Sequence, residues 1–213
     1  MVREIPLKEQ LISPGFQRLA LPIVSYIAIM FFLIQGPVLF PKQWDRWQTI
    51  TLVYAMMALP SLIFAVMGVA PFDTPAWKHF AFFGLAAVGG GALFWTLFSQ
   101  FKYTTGFPVG DVIPTVIYQV FVISLVEENF FRGFLLEIGQ RGGTGVGVLA
   151  SAGMFSIFHL AAYSIAGLNF AAFGIAFAMG IAFGLIYLAT RHYAGTGVTH
   201  GLHAAYNLVL LFG

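Results

Sequence analysis

Long apolar runs dominate the sequence, and short stretches with charged residues, proline or glycine separate them. Each run approaches the roughly 20 residues that a helix needs to cross the hydrocarbon core of a bilayer. The pattern therefore predicts an all-α fold, a polytopic transmembrane helical bundle of about seven spans. The predicted spans cover residues 19–40, 49–70, 79–98, 112–138, 146–165, 168–190 and 197–212.

The runs follow one another without a repeat or a polar second domain, so we predict a single membrane domain over residues 1–213. Residues 1–18 are polar and mixed in charge, which is typical of an N-terminal interfacial segment. The first apolar run is longer than the core of a signal peptide and is interpreted as a retained helix. Six loop lysines and arginines on the side of the N-terminus, against three on the other side, favour a cytoplasmic N-terminus.

Glycine is concentrated in two places along the chain. The first cluster, residues 89–91, lies inside the third predicted span and indicates close approach of another helix. The second cluster, residues 142–147, separates the fourth span from the fifth and indicates a turn.

Composition supports the membrane interpretation and excludes several kinds of function. Of the 213 residues, 59% are hydrophobic and 8% are charged, and the mean hydropathy is +0.87. Soluble domains carry about 25% charged residues, so this chain has too few for a surface that faces water. No basic run accompanies the net charge of +2, which argues against nucleic-acid binding. The absence of cysteine excludes disulfides, thiolate metal ligands and a cysteine nucleophile.

Three of the predicted spans contain polar side chains that are costly inside a membrane and therefore need a reason. Span four carries Glu127 and Glu128, followed by Arg132, which is four residues after Glu128 and can pair with it. Span five carries His159. The last span carries two more polar residues on one helix face, His203 and Asn207. Counted from the nearest loop at about 1.5 Å per residue, the three groups lie at one level near the middle of the bilayer.

These residue types together can add water to a peptide carbonyl. A buried carboxylate without a full partner can act as a general base near neutral pH, and a neutral histidine can share its proton. We therefore expect Glu127 and His159 to activate water. A second histidine and a carboxamide offer hydrogen-bond donors to an oxyanion, which assigns that role to His203 and Asn207. The Glu128–Arg132 pair would hold the site or dock the substrate backbone.

The residues Glu127-Glu128-x-x-x-Arg132, Phe155-x-x-x-His159 and His203-x-x-x-Asn207 resemble the three motifs of a known family. This is the CPBP family (CAAX protease and bacteriocin-processing, or Abi), which is similar to the Ras-converting endopeptidase of prenylated proteins. The resemblance covers residues 112–211, which would be the catalytic helices. It implies an intramembrane glutamic endopeptidase that needs no cofactor or metal, in which Glu127 and His159 activate water while His203 and Asn207 form the oxyanion hole.

Two other interpretations stay open. Glu127, His159 and His203 could supply a two-histidine, one-carboxylate zinc site, which would make the protein a metal-dependent intramembrane protease. The protein could also be non-catalytic, for example a bacteriocin-immunity protein, a scaffold or a small transporter, since intramembrane charges also mark transport paths. The zinc motif H-E-x-x-H and the serine motif G-x-S-x-G do not occur. His200 belongs to no motif and is interpreted as a residue of a helix end or loop.

The expected partners are the lipid bilayer and a membrane-anchored protein or peptide substrate. A prenylated protein, a bacteriocin leader peptide and a C-terminal sorting helix all fit this description. The expected location is an integral position in the inner, or cell, membrane of a prokaryote.

Overall fold

The computed structural model describes residues 14–39, 46–66, 76–98, 116–163, 170–190 and 197–212. These residues form seven helices and no strand, which confirms the predicted all-α fold. The helices are α1 (Pro14–Leu39), α2 (Arg46–Val66), α3 (Ala76–Phe98), α4, α5 (Thr144–Tyr163), α6 (Phe170–Thr190) and α7 (Gly197–Phe212). Helix α4 is a continuous run of four segments, Tyr118–Ser124, Leu125–Glu128, Asn129–Leu136 and Glu137–Gly139.

Two helices in the described part of the chain are long and apolar enough to cross a membrane, over Lys78–Leu97 in α3 and Phe173–Thr190 in α6. Three shorter apolar stretches lie at Ala20–Gln35, Thr51–Pro60 and Thr144–Leu160. The number of seven spans therefore remains a prediction. Residues 1–13 of the predicted interfacial segment lie outside the described residues, and its last residues belong to α1.

Large apolar side chains point outward from the helices rather than only into the bundle. Val88 on α3 is 78% exposed and Phe170 at the start of α6 is 72% exposed. Others on α1 and α5, such as Ile27 and Leu149, are more than half exposed. A surface of this kind is unfavourable in water and typical of contact with lipid.

Helix α4 departs from the regular α-helix that the sequence predicts. The segments Tyr118–Ser124 and Asn129–Leu136 are π-helical, and one α-helical turn, Leu125–Glu128, lies between them. In the first π-helical segment the Ser124 hydroxyl donates to the Gln119 carbonyl, five residues earlier, over 2.7 Å. A π-helical turn widens the helix and changes the direction of the side chains that follow, and such turns are frequent at functional sites. Glu127 and Glu128 lie in the turn between these segments.

Glycine allows α3 and α7 to pack backbone against backbone. A Cβ atom at Gly90 would lie 2.7 Å from Leu202 Cδ2, whereas one at Gly89 or Gly91 would meet nothing within 4 Å. The close approach predicted for this cluster is thus confirmed at Gly90. On the facing helix, a Cβ atom at Gly201 would lie 2.9 Å from the Ala87 nitrogen and would also meet the Phe83 carbonyl.

Replacing Gly201 with alanine is therefore expected to separate α3 from α7. The added methyl group meets backbone atoms, which cannot rotate away, so overpacking should lower the free energy of unfolding by about 1–3 kcal/mol. Thermal unfolding in detergent would measure this. Gly89→Ala is the matched control, since its methyl group has open space, and an equal effect of both substitutions would contradict the packing argument.

The link between α4 and α5 is a tight turn, as the second glycine cluster predicts. A 3-10 turn at Gln140–Gly142 ends α4, and Gly143 adopts a φ of 108°, which favours glycine. A Cβ atom at Gly147, one turn into α5, would lie 2.8 Å from the Gln140 nitrogen. The two helices are thereby held close together immediately after the turn.

Candidate active site

Glu127 is the centre of a buried polar cluster in the middle of the bundle. Its side chain is 2% exposed. The Tyr54 hydroxyl, from α2, donates a hydrogen bond to Oε1 of Glu127. The other oxygen, Oε2, lies 3.4 Å from Nε2 of His203 and 3.9 Å from Nε2 of His159. One carboxylate oxygen is thus held by a donor, and the other faces two histidines.

His159 reaches the cluster from α5. Its Nδ1 lies 2.9 Å from the Phe155 carbonyl, one helical turn earlier. Because a carbonyl oxygen can only accept, Nδ1 carries the proton of this bond. In the neutral ring Nε2 is therefore the acceptor, and it is this atom that faces Glu127. The rings of Phe155 and Phe158 pack against the imidazole, with centroids 4.2 and 5.4 Å away.

His203 enters from α7 and lies between the two adjacent carboxylates of α4. Its Nδ1 is 2.8 Å from Oε1 of Glu128, and its Nε2 faces Glu127. An ionised carboxylate can only accept, so Nδ1 donates to Glu128. Both ring nitrogens of His203 thus face acidic groups.

Glu128 and Arg132 form the ion pair that the sequence predicts. Nη1 of Arg132 lies 3.1 Å from Oε1 of Glu128, and both side chains are fully buried. This contact is an ion pair without a hydrogen bond, and none of the three guanidinium nitrogens makes a hydrogen bond to the described residues. The guanidinium carbon instead lies 4.5 Å from the centroid of the Phe155 ring and 5.4 Å from that of Phe183. Charge attraction and aromatic faces therefore hold this cation.

Asn207 lies at the edge of the cluster rather than in it. It is half-buried, one helical turn after His203, and its Nδ2 donates to the Ser124 hydroxyl over 3.4 Å. Ser124 precedes Glu127 by three residues on α4. The structure thus brings Glu127, Glu128, Arg132, His159 and His203 into contact with one another, and Asn207 neighbours them through Ser124.

The donor types around Glu127 are also those that zinc takes, namely two imidazole nitrogens and a carboxylate. Among the described residues, however, no group of three or more histidine, aspartate or glutamate side chains has the arrangement of a metal site.

No sequence motif indicates the contact of Tyr54 with Glu127. Tyrosine is a common residue in apolar helices, and Tyr54 precedes Glu127 by 73 residues in the sequence.

His200 is a buried residue in the first turn of α7 and is only 1% exposed. Its Nε2 lies 2.8 Å from the Val120 carbonyl, and its Nδ1 lies 3.1 Å from Nε2 of His79 on α3. A carbonyl cannot pass a proton on, so this chain of bonds ends at α4. These hydrogen bonds join α3, α4 and α7 beside the polar cluster, and they provide no route for a proton to Glu127.

Comparison with known proteins agrees with the motifs. Residues 109–209, which contain all six predicted site residues, match the family model described as type II CAAX prenyl endopeptidase Rce1-like. Neither a curated protein nor a solved structure matches the chain. The matched stretch covers α4 to α7, the helices that carry the polar cluster apart from Tyr54. The match over residues 109–209 confirms the family that the motifs predict for this part of the chain, the Rce1-like CAAX endopeptidases, which are membrane-integral peptidases.

Proposed function

We propose that the protein is an intramembrane glutamic endopeptidase that hydrolyses a peptide bond of a membrane-anchored substrate. The observation that carries the proposal is the position of Glu127 Oε2, which faces the Nε2 atoms of His159 and His203 inside an apolar bundle. A carboxylate and two histidines in this arrangement can activate water and stabilise the product of its addition.

In the first step, Glu127 and His159 activate the attacking water. The 3.9 Å between Glu127 Oε2 and His159 Nε2 is too long for a direct hydrogen bond but short enough for one water molecule to contact both atoms. The water donates its proton to Glu127 as its oxygen adds to the peptide carbonyl. The Nδ1 proton of His159 is committed to the Phe155 carbonyl, so Nε2 accepts from the same water.

In the second step, His203 and Asn207 stabilise the oxyanion that forms on the carbonyl. His203 donates through Nδ1 to Glu128, so Nε2 carries a proton only when the ring is an imidazolium. In this step His203 is therefore the imidazolium, and its Nε2 is the donor to the oxyanion. Glu127 then returns its proton to the leaving amine.

The proposed function also places the protein in a membrane. All seven helices would cross the membrane, with the N-terminus in the cytoplasm and the protein in the cell membrane of a prokaryote. Outward-facing apolar side chains on α1, α3, α5 and α6 support lipid contact on several sides of the bundle. The substrate would be a membrane-associated protein or peptide, as the family description implies.

The test is cleavage by the purified protein in detergent, with its metal content measured. Three kinds of peptide serve as probes, anchored by a farnesylated cysteine, by a bacteriocin leader sequence or by a C-terminal apolar helix. The Glu127→Gln protein, purified in parallel, reports contaminating peptidases. We expect wild-type protein without stoichiometric metal to cleave at least one probe in the presence of a chelator.

Two outcomes would favour the other interpretations. Cleavage that a chelator abolishes and added zinc restores would favour the metal-dependent protease, with Glu127, His159 and His203 as ligands. Absence of cleavage by both proteins, together with full biological function of the Glu127→Gln protein, would favour the non-catalytic membrane protein.

A further inference from the structure

Tyr54 contacts the central carboxylate of the site from outside the matched part of the chain. It lies on α2, whereas the family match begins at residue 109. Its side chain is 9% exposed, and its hydroxyl donates to Glu127 Oε1. Of the two oxygens of Glu127, this is the one that does not face the histidines.

The carboxylate of a glutamate needs such a contact in order to have a defined orientation. The last torsion of a glutamate side chain is broad and has no sharp preferred value. Burial alone therefore leaves the plane of the Glu127 carboxylate free to turn. A donor on Oε1 fixes that plane, and with it the direction in which Oε2 faces His159 and His203.

The protein holds Tyr54 itself in place by packing. Its neighbours on α2, Val53 and Met57, are buried in the same apolar cluster as Phe130 and Phe131 of α4. The Tyr54 ring also meets the Tyr118 ring edge to face, with centroids 6.5 Å apart. The hydroxyl is therefore presented to Glu127 from a rigid position, which is what precise orientation of a catalytic group requires.

We propose that Tyr54 is a positioning residue that orients the Glu127 carboxylate for water activation, and that α2 is thereby part of the active site. This inference rests on the proposed function. A positioning residue acts on the chemical step and not on substrate binding, so its removal should lower kcat and leave KM nearly unchanged.

Tyr54→Phe removes the hydroxyl and keeps the ring. For the probe peptide that the wild-type protein cleaves fastest, kcat is expected to fall about tenfold to a hundredfold, the usual range for losing one hydrogen bond to a charged group. KM is expected to change less than about twofold, since the interaction matters in the chemical step. A rise in KM at constant kcat would mean that Tyr54 binds substrate and would overturn the proposal.

Tyr26→Phe is the matched control. Tyr26 lies on α1, is also 9% exposed, and its hydroxyl donates to the Met154 carbonyl over 2.8 Å. The same atom is removed from an equally buried tyrosine that does not contact the cluster. Its kcat is expected to equal that of the wild type, and an equal loss in both variants would assign the effect of Tyr54→Phe to stability and overturn the proposal.

A double-mutant cycle on thermal unfolding tests the contact without a substrate. Removing the Tyr54 hydroxyl should lower the melting temperature in the wild type and much less in a Glu127→Ala background, where the acceptor is gone. Equal shifts in both backgrounds would overturn the inference. Failure of this inference can be distinguished from failure of the proposed function. If the Glu127→Gln protein is inactive and the Tyr54→Phe protein is fully active, only the inference about Tyr54 is rejected. If the Glu127→Gln protein is active, the proposed function is rejected.

Discussion

Glu127→Gln is expected to lower kcat/KM for peptide cleavage by roughly 10²- to 10⁴-fold, the range that a general base contributes. Glutamine has the shape of glutamate, and its carbonyl oxygen can still accept the Tyr54 hydrogen bond. Its NH₂ group cannot take a proton from water. The substitution therefore removes the proposed base and keeps the shape of the side chain, and the loss should appear in cleavage assays of protein that remains folded in detergent.

Glu137→Gln provides the matched control for this substitution. Glu137 also lies on α4, and its Oε1 accepts a hydrogen bond from the Tyr187 hydroxyl over 3.2 Å, much as Glu127 accepts one from Tyr54. It is ten residues from Glu127 and is not a member of the ion pairs that Glu127 makes with His159 and His203. Full activity is expected for this variant. Full activity of Glu127→Gln as well would contradict the proposed role of Glu127.

The fold could be predicted from the sequence because a helix that faces lipid needs little besides apolar length. All seven predicted apolar runs coincide with helices over the residues that the structure describes. The π-helical segments of α4 could not be predicted in this way. Their residues are mostly apolar, with a few polar ones such as Gln119 and Arg132, and this composition does not distinguish a wider turn from a regular one.

The candidate site was predictable for a different reason. A charged side chain in an apolar helix is costly unless a polar partner lies nearby, and α4 carries three such side chains, Glu127, Glu128 and Arg132. The polar groups predicted at the same depth are the histidines of α5 and α7. The spacing of four residues gave the Glu128–Arg132 pair directly, and the structure has it at 3.1 Å. Tyr54 escaped prediction because it carries no charge and its contact depends on how α2 packs against α4.

Arg132→Met is expected to lower the free energy of unfolding by about 3–5 kcal/mol. Methionine fills much of the space of the arginine side chain and packs against the Phe155 and Phe183 rings that now cover the guanidinium. It leaves Glu128, which is fully buried, without its cation. An unpaired buried charge is the main cost, and denaturation in detergent would measure it.

Combining Arg132→Met with Glu128→Gln separates the loss of the cation from the loss of packing. The glutamine is neutral and its carbonyl oxygen can still accept from Nδ1 of His203, so the double variant should recover most of the lost stability. If the double variant is as unstable as Arg132→Met alone, the arginine stabilises the bundle by its packing and not by its charge. A cost below about 1 kcal/mol for Arg132→Met would instead mean that the hydrogen bond from His203 Nδ1 is enough to stabilise the buried Glu128 carboxylate.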